Sequence, residues 1–452
     1  MNEKIFSKNI TKTIFSLYIP IFATMMLQSL YGIIDTVFVG KLGANALAGV
    51  GQANTILMFV FAFMASVSIG STSLIAKQLG ARDNKNANKT VNQSLMLGSF
   101  LSLIFFFPLF FLSKILLTSI NTGAEILPLS DAYLKISAFS LLFVFLNFMI
   151  NSLLRGAGYV KPSFVLMAIS NAINVFLDYC LIFGHLGFPF LGVKGAAYAT
   201  LIARAIGSLI GIAILLSKRY GITFSTSFKP DFLIIKQILE VGFVASIMGI
   251  SRTVSSLIFI ALVATLGTKV LAALHAGMYA ESLSLFSSIA YSTVTTTIVG
   301  HYLGARMFDK LKEINRKLLN FSALTGLTFG TIFYCFGEKI AVIFTKDREV
   351  VYYITKFLKT VAFSEVFLSM AFVFVGIYYA AGYMAVPLKA NIISFWLVRL
   401  GFGYVFVKFY FFKPELVFFS IAFLNIVYPL IMYVNFKTEN YLTYYKKTGE
   451  SV

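Results

Sequence analysis

The sequence predicts an all-α integral membrane protein with twelve transmembrane helices, arranged as two six-helix lobes related by a pseudo-two-fold axis along the membrane normal. Three observations predict it. Hydrophobic residues make up 58% of the 452 residues and charged residues 12%, about half the charged share of a soluble domain. The apolar stretches are long enough to cross a hydrocarbon core of about 30 Å, which takes about 20 helical residues. Finally, when the chain is laid against itself so that position i meets position i + 224, separate pieces fall into register without a gap. The segment 42–48 (LGANALA) falls on 266–272 (LGTKVLA), 79–82 (LGAR) on 303–306 (LGAR), 138–140 (AFS) on 362–364, and 157–159 (AGY) on 381–383. One offset shared over more than a hundred residues marks a duplicated unit.

The spans of the first copy read as 14–39, 52–76, 92–113, 132–153, 163–184 and 195–217. Those of the second read as 241–266, 275–299, 318–337, 357–379, 391–408 and 416–435. Strict alternation is absent and the segments are too long for a transmembrane barrel. An even number of helices per copy leaves both copies facing the same way, the parallel type of repeat. The lobes are therefore expected at 1–217 and 241–452, joined by a linker at 218–240 that carries Gly221, Lys229 and Pro230. The first apolar segment runs too long, and lacks the small-residue cleavage pattern, for a cleavable signal peptide.

Lys and Arg in the short loops set the expected orientation. One side collects 22 of them, from Lys4, Lys8 and Lys12 to Lys437, Lys446 and Lys447; the other, from Lys41 to Lys413, has nine. The richer side, with both termini, is expected in the cytoplasm, and the membrane to be the cytoplasmic (inner) membrane of a bacterium or archaeon. The formal charge of +19 then reflects topology and headgroup attraction. It is dispersed between apolar spans, which argues against nucleic acid as a partner. Cys180 and Cys335 fall inside spans and are expected as free thiols. The three histidines have no metal-ligand spacing, and no GxxxxGK[ST] loop offers a phosphate cradle.

Polar residues inside the spans are the informative exceptions. In the first helix Thr24, Gln28, Tyr31 and Asp35 recur at spacings of 4, 3 and 4, which places them on one face. In the fifth, Asn171, Asn174 and Asp178 do the same at 3 and 4. Intramembrane acids are costly and mark ion or substrate pathways. Facing each other, Asp35 and Asp178 would hold a proton, or a small cation with help from Asn and Tyr oxygens. The repeat supplies a control: in the second copy the same positions hold Phe259 and Phe402, so the acids serve a task of the first copy rather than the fold.

The second copy has its own isolated charges, Arg252, Glu281, Glu365 and Arg399. An acid–base pairing among them is expected, with Arg252 and Arg399 structural and Glu281 or Glu365 free to meet a cationic substrate. Arg204 in the sixth helix has no partner assignable from sequence. Pro20 lies inside the first helix, where it removes a backbone hydrogen bond and makes a static kink or a hinge. Some of the abundant Phe and Tyr residues could meet a flat organic cation by π contact.

These residues resemble the multidrug and toxic compound extrusion (MATE) family of secondary transporters, of prokaryotic type, over nearly the whole chain. The resemblance is carried by IPIFATMMLQSLYGIIDTVFVGKLGANALAGV (19–50), LRGAGYVKPSF (154–164), NAINVFLDYCLIFG (171–184), LGVKGAAYAT (191–200), ESLSLFSSIAYSTVTTTIVGHYLGAR (281–306) and WLVRLGFGY (396–404). It implies a monomeric antiporter that exports organic cations against an inward flow of H+ or Na+, without a further cofactor and without enzymatic chemistry. Its ion site would fall on Asp35, Asn174 and Asp178, with Thr200 close by in role, and its bending proline on Pro20. Gln28, Tyr31, Asn171, Glu281 and Glu365 are cavity candidates. Any metal at the site would be Na+ on Asp35, Asn174 and Asp178. Some members of that family place a second-lobe cation site on acids of the seventh and tenth helices; here the tenth has Glu365, but the seventh offers Arg252 and no acid.

Two other functions compete. A flippase for a lipid-linked saccharide shares the two-lobe architecture, but its polyanionic cargo wants a cavity of Arg and Lys, whereas the first-copy stripe is acidic. An integral membrane enzyme would need a nucleophile–base pair or metal cluster at the membrane surface, and the sequence offers none.

Overall fold

The computed structural model describes residues 3–7, 9–224, 229–410, 413–438 and 440–449. Lys8 lies outside them, as do the side chains of Lys4 and Lys447. All regular secondary structure among the described residues is helical, with no strand. Lipid offers no partner for a backbone N–H or C=O, so every span must close its own hydrogen bonds.

The first six spans are α1 Ile10–Gly40, α2 Ala44–Gly80, α3 Asn84–Phe111, α4 Leu127–Gly156, α5 Val160–Phe183 and α6 Val193–Leu216. The next three are α7 Phe232–Ala264, α8 Thr268–Gly304 and α9 Phe308–Phe344. The tenth, α10, is made of two helices, Arg348–Ala362 and Glu365–Ala381, bent by 54°. The last two are α11 Ala385–Phe409 and α12 Pro414–Lys437. These are the twelve spans that the apolar pattern predicts, with two departures in α10 and α11.

The duplication holds down to single dihedrals. α2 and α8 begin and end at equivalent positions of the repeat, Ala44 against Thr268 and Gly80 against Gly304. Positive φ recurs at the same offset: Gly43 at 111° and Gly267 at 112°, Arg82 at 60° and Arg306 at 55°, Gly158 at 79° and Gly382 at 78°. Arg82 and Arg306 each follow a helix end in the left-handed conformation that closes such ends. Each donates its N–H to the carbonyl three residues back, Leu79 at 3.1 Å and Leu303 at 2.9 Å. Side chains obey the same rule. Thr72 donates to the carbonyls of Ser68 (2.9 Å) and Ser152 (3.2 Å), Thr296 to those of Ser292 (2.8 Å) and Gly376 (3.2 Å).

The break in α10 has its cause on a neighbour. A Cβ at Gly330 of α9 would lie 2.2 Å from the carbonyl oxygen of Ala362, and one at Gly326 would lie 2.6 Å from that of Glu365. The two bare surfaces admit the bent backbone. In the first copy the equivalent positions hold Ser102 and Phe106, and α4 runs unbroken. In α11 the departure is a π-helical stretch, Ile393–Leu400, between α-helical ends. A wide turn takes in about one residue more than an α turn, so the remainder of the helix is rotated by about 100°.

The chain divides into two compact units, one of Met1–Ser7 and Ile19–Phe243, the other of Lys8–Tyr18 and Val244–Val452. The lobes therefore exchange the starts of their first helices. In the first unit α7 is capped by Asp231, whose carboxylate accepts from Ile234 N–H at 3.4 Å and from Lys89 Nζ at 3.2 Å. It then runs against α2, where a Cβ at Gly70 would lie 2.0 Å from Ile238 O and one at Gly242 would lie 2.2 Å from Ser66 O. In the second unit Tyr18 bonds Ser287 through its hydroxyl at 2.7 Å and stacks on Tyr291 at 4.4 Å. α7 starts at Phe232, so the later part of the segment 218–240 is helical.

Each unit has its own apolar core. Val67, Ile75, Leu134, Phe145 and Leu153 are among the residues that fill the first, and Phe259, Leu274, Ile354, Phe357 and Phe418 among those that fill the second. Outward faces carry Phe107, Phe111, Leu209, Leu257 and Ile343, all exposed, as a lipid-facing surface requires. Both cysteines are free thiols.

Candidate functional site

The site grows from α1 beyond Pro20. The helix continues through the proline, and the Thr24 hydroxyl donates to the Pro20 carbonyl at 2.7 Å. One face then presents Gln28, Tyr31 and Asp35 to a cavity of about 540 Å³ inside the first unit. The Tyr31 hydroxyl meets Thr200 Oγ1 of α6 at 3.3 Å, and Thr200 lines the same cavity.

Asp178 and Asn174 of α5 are wholly buried, Asn171 nearly so, and none of the three lines the cavity. Asp35 alone of the two acids opens onto it. The sequence reading that both face one pocket is corrected to one acid at the wall and one behind it. The two carboxyl groups still lie within electrostatic reach of each other, and of Tyr31. Among the described residues, Asp35 Oδ1, both oxygens of Asp178 and both amide atoms of Asn174 and of Asn171 are buried without a hydrogen-bond partner. Proteins rarely leave so many polar atoms unsatisfied in one place unless something else satisfies them. Oxygens of this kind suit a proton or a small hard cation. No three His, Cys, Asp or Glu side chains converge as a metal centre among the described residues.

The second unit presents a different picture. Glu365 is buried and accepts from Ser284 Oγ. It lies within electrostatic reach of Glu281 on α8, which in turn lies within reach of Asn425 and Arg399. Arg399 Nη2 donates to Ser255 Oγ at 3.0 Å, and its guanidinium lies over the rings of Phe395 at 4.8 Å and Phe259 at 5.5 Å. Arg252 is exposed. The acid–base pairing expected among these four residues is not found: none of them is within 4.0 Å of an opposite charge among the described residues. A hydroxyl and two aromatic faces hold Arg399 instead.

The equivalence of Phe402 with Asp178 is corrected as well. Phe402 is 45% exposed, whereas Phe259 is buried. The wide turns of α11 rotate Phe402 outward and bring Gly403 inward, where a Cβ would lie 2.9 Å from the Phe259 ring. One phenyl ring against a glycine thus fills the place that two acids hold in the first unit.

Sequence reasoning missed much of the cavity wall. Tyr133 and Asn147 of α4 and Asn54 of α2 line it, as does Arg204 of α6, whose guanidinium lies 5.6 Å from the Tyr31 ring. Arg204 was legible as an isolated intramembrane charge; the residues that α2 and α4 bring to the same wall were not.

Comparison with known proteins gives the same outline. The MatE family model matches twice, over residues 20–180 and 245–405, so the family's unit is the repeat itself. The probable multidrug resistance protein NorM of Thermotoga maritima is 30% identical over 89% of this chain and 86% of its own length. The uncharacterized transporter YisQ of Bacillus subtilis is 26% identical over 88% of this chain and 87% of its own. Among solved structures, a MOP superfamily transporter from Pyrococcus furiosus superposes with a TM-score of 0.89 at 23% identity, covering 97% of each chain. MATE structures in the bent and in the straight conformation both superpose with a TM-score of 0.90 at 24% identity. The former covers 99% of this chain and 98% of its own, the latter 98% of each. With its duplicated six-helix unit and this family match, the chain belongs to the MatE family of multi-pass membrane transporters.

Proposed function

We propose that the protein is a secondary active antiporter that exports organic compounds bearing a cationic group in exchange for H+ or Na+, by alternating access. The observation that carries this reading is the cluster of Asp35, Asn174 and Asp178: buried, unsatisfied by the protein, and opening through Asp35 onto a cavity of drug-sized volume. Asp35 can hold either a coupling cation or the cationic group of the cargo, and Asp178 behind it can keep a proton or Na+ while the wall is occupied. Mutual exclusion at one acid is the minimal device for exchange. The name of the Thermotoga maritima relative supports multidrug cargo, and the count of basic loop residues supports an inner membrane with both termini cytoplasmic. The held Arg399 weakens the case for a polyanionic lipid headgroup as cargo in the second unit.

Purified protein in liposomes tests the reading, with efflux of a fluorescent organic cation followed under an imposed pH gradient and then an imposed Na+ gradient. Efflux driven by one gradient and abolished by Asp35→Asn supports it. Efflux indifferent to both gradients overturns it.

A further inference from the structure

Arg204 sits near the middle of α6, where an unbalanced charge is costly. Its side chain nevertheless makes no hydrogen bond and no ion pair within 4.0 Å among the described residues. What it does make is a cation–π contact: the guanidinium carbon stands 5.6 Å from the Tyr31 ring centroid. Both residues line the cavity that also holds Asp35. If Arg204 served only to neutralise Asp35, the two would be drawn into a short pair. Instead Asp35 Oδ1 remains unpartnered and the guanidinium rests on an aromatic face.

The cavity therefore has a negative group and a positive group on one wall system, each with unused hydrogen-bonding capacity. The same lining offers an apolar body such side chains as Leu57, Phe61, Leu141 and Val144, interspersed with polar ones such as Asn54 and Asn147. A guanidinium held from one side by an aromatic ring leaves its planar fork of donors free for a carboxylate. The repeat again acts as a control, since the counterpart of Arg204 in the second copy is the buried Tyr428.

We propose that Arg204 is the anion-recognition residue of this cavity and that the cargo it favours is zwitterionic: a flat apolar body with a cationic group for Asp35 and a carboxylate for Arg204. This rests on the export reading above and names its substrate class. Rhodamine B, which carries a cationic xanthene and a free carboxylate, and its ethyl ester, which keeps the cation and loses the anion, form a matched pair of probes. Proteoliposome efflux gives a KM for each dye, and fluorescence anisotropy of the detergent-solubilised protein gives a Kd for each.

The intact protein should favour the zwitterion by about tenfold or more, the size of a charge-assisted hydrogen-bonded contact. Arg204→Gln should collapse that ratio toward one in both KM and Kd, and Arg204→Lys should keep part of it. Where the Gln variant does not fold, the Lys variant decides alone, since it keeps the charge and loses the fork. A ratio near one in the intact protein, or a ratio unmoved by substitution, overturns the proposal. Discrimination in binding without efflux of either dye would leave Arg204 in its role and overturn the export reading alone.

Discussion

Single residues carry the asymmetry between the two copies. Asp35→Asn should abolish gradient-driven efflux while leaving a folded, monodisperse protein. Removing a buried acid relieves desolvation and opens no cavity, so the melting temperature in detergent should hold or rise. A fall of several degrees would recast Asp35 as a structural residue. The reverse exchange is equally informative. Phe259→Asp should not restore efflux to Asp35→Asn, because Gly403 rather than an acid faces Phe259, and Val398 and Phe395 stand where the first copy has Asn174 and Asn171. A carboxyl there would stand near the Arg399 guanidinium, which lies 5.5 Å from the Phe259 ring, and would be drawn to it rather than to a coupling cation. Restored efflux in the double variant would mean that the copies are interchangeable. Both acids were legible in the sequence because a charge in an apolar span is costly enough to need a reason. The wall around Arg204 was not, because it is assembled from α1, α2, α4, α5 and α6 and exists only once they are packed.

At the scale of elements, lipid makes most of the fold readable and leaves a remainder that is tertiary. Long apolar runs must become helices, so the spans emerge from hydropathy alone. The bend in α10 carries no proline or glycine at Phe363 and Ser364; its cause lies on α9, in Gly326 and Gly330. Gly330→Ala should therefore cost about 1–3 kcal/mol or more, since the new methyl meets backbone rather than a yielding side chain. Thermal unfolding of the purified variant measures it, and an unchanged melting temperature would place the cause of the bend elsewhere. The wide turns of α11 likewise have no composition of their own, which is why a fixed repeat offset placed Phe402 about 100° away from its true face. The start of α7 escaped the apolar reading because Lys236 and Glu240 interrupt it, yet these form one exposed charged face, 3.9 Å apart. Its cap has a pH signature. The hydrogen bond from Lys89, aided by backbone N–H groups, holds the Asp231 carboxyl below its usual 3.8. That contribution is present above about pH 4 and is lost as pH falls through the lowered value. For so exposed a pair it is under about 1 kcal/mol. Lys89→Ala should accordingly lower the melting temperature slightly at pH 7 and progressively less as pH falls through the lowered value; an equal fall at every pH would mean that charge is not the cause.

At the scale of the whole molecule, the exchange of helix starts has consequences for how the protein is made. Residues 10–18 are synthesised ahead of the rest of the first unit's spans, yet they group with the helices that follow Val244; the first unit in turn lacks its final piece until residues 232–243 have emerged. Neither lobe can finish before the other has begun, so insertion into the membrane cannot proceed as two independent folding events. A chain severed after Phe224 should therefore yield two fragments that are each degraded alone. Expressed together, they should recover as a stable complex, because each holds the missing first turns of the other. Pulse–chase of the separate and combined fragments would read this directly. Stable accumulation of either fragment alone would show that the exchanged turns are dispensable. On this expectation the duplicated unit matures as one cooperative object rather than as two copies in tandem.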